Sequence, residues 1–113
     1  MAQMNTLSID IETYSDIDLK KCGVYRYASS PNADLLLFGY SIDNGPVEVI
    51  DVAQGEKIPE YILKALSDNG VTKWAYNSNF ERVFLSVWLK RNYPEYFRSY
   101  SIAEDTVGDY LDP

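Results

Sequence analysis

The segment Leu7-Ser8-Ile9-Asp10-Ile11-Glu12 alternates apolar and polar residues without a break. Successive side chains of a strand point to opposite faces, so Leu7, Ile9 and Ile11 share one face and Ser8, Asp10 and Glu12 the other. The segment is expected to be a strand with one face in a core, which commits the chain to a sheet. A single core is within reach: the chain has 113 residues, 46% of them apolar, with 10 Tyr. Folding at this length buries roughly 65% of the surface the unfolded chain exposes, which needs neither disulfide nor structural metal. The same length leaves no room for a second core.

Further elements follow from local pattern. Residues 16–28 are mixed, with Gly23 in the middle, and support no more than a short helical turn around residues 18–22. Ser29-Ser30-Pro31-Asn32 reads as a loop. Residues 33–42 and Val47-Glu48-Val49-Ile50 read as a hairpin turned by Asp43-Asn44-Gly45-Pro46. Leu35-Leu36-Leu37-Phe38 is apolar on both faces, so its strand is expected inside the sheet. Pro59 stands at a first helical position, ahead of Ile62, Leu63, Ala65 and Leu66 at helical spacing, and Asn69-Gly70 ends that helix. Residues 71–76 form a strand with Trp74 and Tyr76 on one face. Asn77-Ser78 opens the longest helix, with Phe80, Val83, Phe84, Val87 and Trp88 on one stripe. A short strand near residues 99–102 is the last element, and the absence of a covering helix after it suggests an N-terminal part of something longer. Strands first and an α-strand-α stretch later point to an α/β fold with a mixed sheet and flanking helices.

Composition removes several chemistries. One Cys and no His exclude an internal disulfide, a Cys/His zinc cluster, a Ser-His-Asp triad and a histidine base. Carboxylate, tyrosine and lysine remain. The net charge of −7 weighs against a module that grips nucleic acid through phosphate contacts alone, and less against a nuclease, which concentrates acid where its cations sit. The N-terminus lacks the pattern of a signal peptide and no apolar run is long enough to span a membrane, so the cytoplasm is the expected location.

Two constellations carry the chemistry. Asp10 and Glu12 project from one strand face about 6.5 Å apart along the axis, and such a pair favours a cation. Oxygen ligands alone suit Mg²⁺ or Mn²⁺, and two ions about 4 Å apart fit ligands of this reach; the alternative is a solvated polar face. In Asn77-Ser78-Asn79-Phe80-Glu81, Ser78 and Glu81 fit a capping box with Ser78 as N-cap. Glu81 also leans toward the apolar stripe through Phe84, Leu85 and Trp88, where a carboxylate needs a partner. Capping and metal ligation stand side by side.

Together these residues resemble a family. Ser8-Ile9-Asp10-Ile11-Glu12-Thr13 and Asn77-x-x-Phe80-Glu81 resemble the first two motifs of the DEDD 3′ to 5′ exonucleases. Gly23-Val24-Tyr25-Arg26-Tyr27-Ala28, residues 35–42 and Trp74-Ala75-Tyr76-Asn77 narrow the resemblance to the proofreading domain of phage-type family A DNA polymerases. It covers about residues 7–88.

The resemblance implies a ribonuclease H-like fold, with the hairpin antiparallel beside the first strand and the later strand parallel on its other side. Residues 1–113 would be the N-terminal part of one exonuclease domain, with a polymerase domain in the parent chain and the host cytoplasm as location. It further implies two-metal hydrolysis at single-stranded DNA 3′ ends. Asp10 would bind both ions; Glu12 would bind one and orient water. Glu81 would take the place of an aspartate, its extra methylene moving the carboxylate by about 1.5 Å. Thr13 would offer its backbone and hydroxyl to the terminal nucleotide, with Asn77 and Phe80 touching the single strand, the ring by stacking or serving only the helix core. The third motif, Tyr-x-x-x-Asp, belongs farther along than Tyr14-x-x-x-Asp18 or Tyr100-x-x-x-Glu104, so the chain is expected to be weakly active or inactive. Self-association is expected if an apolar patch is left near Trp88. The alternatives are another ribonuclease H-like nuclease, or a non-catalytic module of this fold that binds nucleic acid or protein.

Overall fold

A computed structural model of the chain describes residues 4–68, 70–75 and 77–96. The proposed strand at residues 99–102, Tyr100-x-x-x-Glu104, Tyr76 and Asn69 lie outside the described residues. The alternating segment forms β1, Thr6–Tyr14, and the hairpin forms β2, Asp34–Ile42, and β3, Val47–Asp51. After a 3-10 turn at Val52–Gln54 come helix α2, Glu60–Leu66, strand β4, Thr72–Ala75, and helix α3, Ser78–Asn92. The sheet order is β3-β2-β1-β4, with β2 antiparallel to both β1 and β3, and β4 parallel to β1. This is a mixed α/β sheet with flanking helices, and the leucine-rich β2 is an interior strand as its sequence suggests.

The hairpin turn follows from its backbone. Asp43 and Asn44 both have positive φ, 50° and 62°, and Gly45 N donates to Ile42 O at 2.8 Å. Two left-handed residues in sequence are the type I′ arrangement, whose twist matches that of the flanking strands. Asp43 Oδ1 also accepts from Asn5 N at 3.0 Å and Thr6 N at 2.8 Å, which ties the start of β1 to the turn. These hydrogen bonds hold the Asp43 carboxyl below the usual aspartate range.

Register sorts the two faces. Leu7, Ile9 and Ile11 pair with Ile42, Tyr40 and Phe38, and in the parallel pair Leu7 and Ile9 stand beside Lys73 and Ala75. This face carries the core, into which Ile62, Leu63, Leu66, Phe84, Leu85 and Leu89 are buried. Between Glu12 and Thr13 the register slips, so that Glu12 faces Leu37 while Thr13 faces Leu35. The bulge leaves Leu36 as the extra residue and lets Leu35 and Phe38 both be fully buried. The opposite face gathers Ser8, Asp10 and Glu12 with Ser41, Gly39 and Leu37, and with Trp74 across from Ser8. It leaves Val47, Val49 and Trp74 exposed.

Two expectations need correction. Residues 19–29 form a helix, α1, Leu19–Ser29, bent at Gly23, whose φ of 82° only glycine takes without strain. Its sequence hides this because Ala28 is its one buried residue; the helix is held by Asp18, whose Oδ1 accepts from Lys20 N at 3.0 Å, and by packing on α3. The helix opened by Pro59 stops at Leu66, with Ser67 as its C-cap, before Gly70. Trp88, on the apolar stripe of α3, is buried, its ring 5.5 Å from that of Tyr93, while the exposed large apolar side chains include Val47, Val49 and Trp74 of the open sheet face, Leu19 and Tyr25 of α1 and Tyr61 of α2. Trp74 is among them while Lys73 is buried, since the register of β4 turns Lys73 toward Leu7.

Candidate active site

Three elements, β1, β4 and α3, meet at one end of the sheet. Among the described residues, pairing between β1 and β4 runs from Thr6 with Thr72 to Ile9 with Ala75. Beyond it β1 continues through Asp10, Glu12 and Thr13, while the chain leaves β4 and enters α3, which touches β1. A parallel crossover of this kind brings a helix start beside the carboxyl end of a neighbouring strand, where sites in α/β sheets tend to form.

Glu81 is the buried member of this region, 5% exposed. Loss of water pushes its carboxyl up to about 7, and the negative charge of Asp10 pushes in the same direction. The N–H of Asn77, which donates to Glu81 Oε2 at 3.2 Å, opposes both. Glu81 therefore does cap the helix, but not as the capping box suggests. Asn77 is the N-cap residue and its own N–H is the group Glu81 reaches, one residue earlier than expected. The side chain of Ser78 lies outside the described residues.

Asp10 and Glu12 are exposed on the open face. The backbone of Asp10 runs close to Gly39, where an added Cβ would lie 3.2 Å from Asp10 O. A shallow cavity of about 240 Å³ adjoins Asp10, lined by Ser8, Gly39, Tyr40, Ser41, Val47 and Val49 among others. The structure thus brings Asp10 within electrostatic reach of Glu81. Among the described residues, however, no three acidic, histidine or cysteine side chains gather in a way that could hold a metal ion. A full three-carboxylate cleft of Asp10, Glu12 and Glu81 is not assembled. The pair that does interact, two carboxyls with one forced toward its neutral form, is a donor set that a hard divalent cation would satisfy.

The remaining candidates form an aromatic group beside the carboxylates. Phe80 is half-buried and its ring stacks on that of Phe84 at 5.8 Å, with Tyr27 of α1 tilted against both at 5.9 and 6.1 Å. Phe80 is at once packed on the core and partly open to solvent. Asn77 is exposed. Thr13 Oγ1 lies 3.0 Å from the hydroxyl of Tyr27. Tyr27 was not legible as a site neighbour, because the weak helical pattern of residues 19–29 gave no reason to aim it at Phe80. Asp18, the end of the chance Tyr14-x-x-x-Asp18 match, serves as N-cap of α1. Asp16 is likewise occupied, accepting from Ser30 Oγ and from Asn32 Nδ2, which draws its carboxyl below the usual range and ties both ends of α1 together.

Over 83 residues, 74% of the chain, the sequence is 52% identical to a DNA polymerase of Bacillus phage SP02. The matched stretch spans 13% of the length of that polymerase. No family model matches the chain, and no solved structure matches it.

Proposed function

We propose that the chain is part of a 3′ to 5′ exonuclease domain of a phage DNA polymerase, of ribonuclease H-like fold, acting on the 3′ end of single-stranded DNA. The observation that carries this reading is the Asp10–Glu81 relation: burial, and in addition the charge of the strand residue Asp10, push up the carboxyl of Glu81 at the start of α3. The sheet order β3-β2-β1-β4 and the similarity to a phage DNA polymerase support it. The relative is far longer than the matched stretch, which supports a polymerase domain in the same parent chain.

In this reading Asp10 and Glu81, joined by Glu12 from the same strand face as Asp10, would hold Mg²⁺ or Mn²⁺, two ions in the complete domain. The chemistry such ions supply when bound is activation of water and neutralisation of charge on the phosphate. The chain's own residues bind and orient: Phe80 offers a ring to a base or sugar of the 3′ end, Asn77 an exposed amide, and Thr13 its backbone and hydroxyl. Glu81 would hold a cation in its carboxylate form, so binding there would depend on pH.

A second reading, a non-catalytic module that binds nucleic acid or protein, is favoured by one observation, that no three-carboxylate set is assembled among the described residues. One experiment separates them. Mn²⁺ is expected to raise the melting temperature of the chain and to support slow removal of single nucleotides from a 5′-labelled oligodeoxythymidylate, both lost in Asp10→Asn. A melting temperature indifferent to Mn²⁺ would leave the binding module as the better account.

A further inference from the structure

The contact between Thr13 and Tyr27 has a polarity that matters to the nuclease reading, on which this inference rests. A threonine hydroxyl has one proton to give, and a phenol hydroxyl has one as well. At 3.0 Å only one of them can donate across the contact. Were Thr13 the donor, its proton would be turned toward α1 and it could meet a phosphate or sugar oxygen only with lone pairs. Were Tyr27 the donor, Thr13 would keep its proton for an acceptor outside. The ring of Tyr27 is held in place, half-buried and lying against both Phe80 and Phe84. One side chain thereby touches both the first-motif threonine on β1 and the second-motif phenylalanine on α3.

The geometry points to Tyr27 as a positioning residue that donates to Thr13 Oγ1, so that Thr13 presents a hydrogen-bond donor to an oxygen of the DNA 3′ end, while its ring fixes the plane of Phe80. Tyr27 itself does not touch the reacting atoms. Its two roles separate chemically, since Tyr27→Phe keeps the ring and removes the donor, whereas Tyr27→Leu removes both.

The test is an anisotropy titration of the full chain with 5′-fluorescein oligodeoxythymidylate in Ca²⁺. Tyr27→Phe is expected to weaken binding by about three- to ten-fold, the span of one net hydrogen bond. Thr13→Val should weaken it similarly, the double variant no further than either alone, and Thr13→Ser should bind as the wild type. Tyr27→Leu should weaken binding more than Tyr27→Phe. Wild-type affinity in Tyr27→Phe, or losses that add in the double variant, overturns the positioning role while leaving the nuclease reading intact. Failure of the wild-type chain to bind the oligonucleotide at all overturns both.

Discussion

The carboxylate of Asp10, exposed on β1, acts on the carboxyl of Glu81, buried at the first turn of α3, and adds to the burial that drives Glu81 up to about 7. A group whose folded pKa lies above its unfolded value near 4.5 binds a proton in the native state that the unfolded chain has already lost. Stability then falls as pH rises from about 4.5 to about 7 and is level above.

Glu81→Gln removes that dependence. The amide oxygen can still accept from Asn77 N, so the cap is kept. The variant should match the wild type near pH 4 and exceed it by about 1–2 kcal/mol at pH 8, as read by urea unfolding at the two pH values. Asp10→Asn should shift the transition the same way by less, because burial is the larger cause. A wild-type advantage over Glu81→Gln at pH 8 would show that the ionised carboxylate is stabilised in the fold.

Lys73 gives the opposite slope. It is 2% exposed among core residues, its ammonium donates to Asp68 O, and burial lowers its pKa to about 8 against the neighbouring charge of Asp68. Between about 8 and 10.5 the unfolded chain carries the extra proton, so stability rises with pH across that window. Lys73→Met leaves Asp68 O bonded to Val71 N at 3.1 Å. It should stabilise the chain by about 1–2 kcal/mol at pH 7, with the gain shrinking by pH 10; thermal melts at both pH values decide.

Gly39→Ala places a methyl group 3.2 Å from the backbone oxygen of Asp10, its partner across the β1–β2 ladder, so one of the two strands must shift by a few tenths of an ångström. A loss of about 1 kcal/mol is expected, together with a changed amide shift at Asp10. Unchanged stability would show that β1 moves freely at this point.

Phe84→Ala opens a cavity beneath Tyr27 and Phe80. The ring is 2% exposed and stacked at 5.8 Å on Phe80. The expected cost is about 3–5 kcal/mol by chemical denaturation, with more loss of oligonucleotide binding than Leu66→Ala, which vacates the core away from the aromatic group.

The strand Thr6–Tyr14, the interior place of β2 and the long helix from Ser78 were all legible in residue order, because each rests on a period short enough to show within a dozen residues. Asp10, Glu12, Asn77, Phe80 and Glu81 stood out for the same reason: each lies on a strand face or a helix start whose chemistry is local. What tertiary structure alone decided is which of these meet. Glu81 is buried and raised toward neutrality because α3 packs against β1 and β4, which puts it within electrostatic reach of Asp10. Helix α1 has too little apolar pattern to announce itself and exists through packing on α3, which is also why Tyr27 arrives at Thr13. Lys73 and Trp74 exchange the faces their hydropathy would choose, because pairing with Leu7 and Ser8 sets the register of a strand of four residues, and neighbours 66 positions apart in the chain leave no trace in a local pattern.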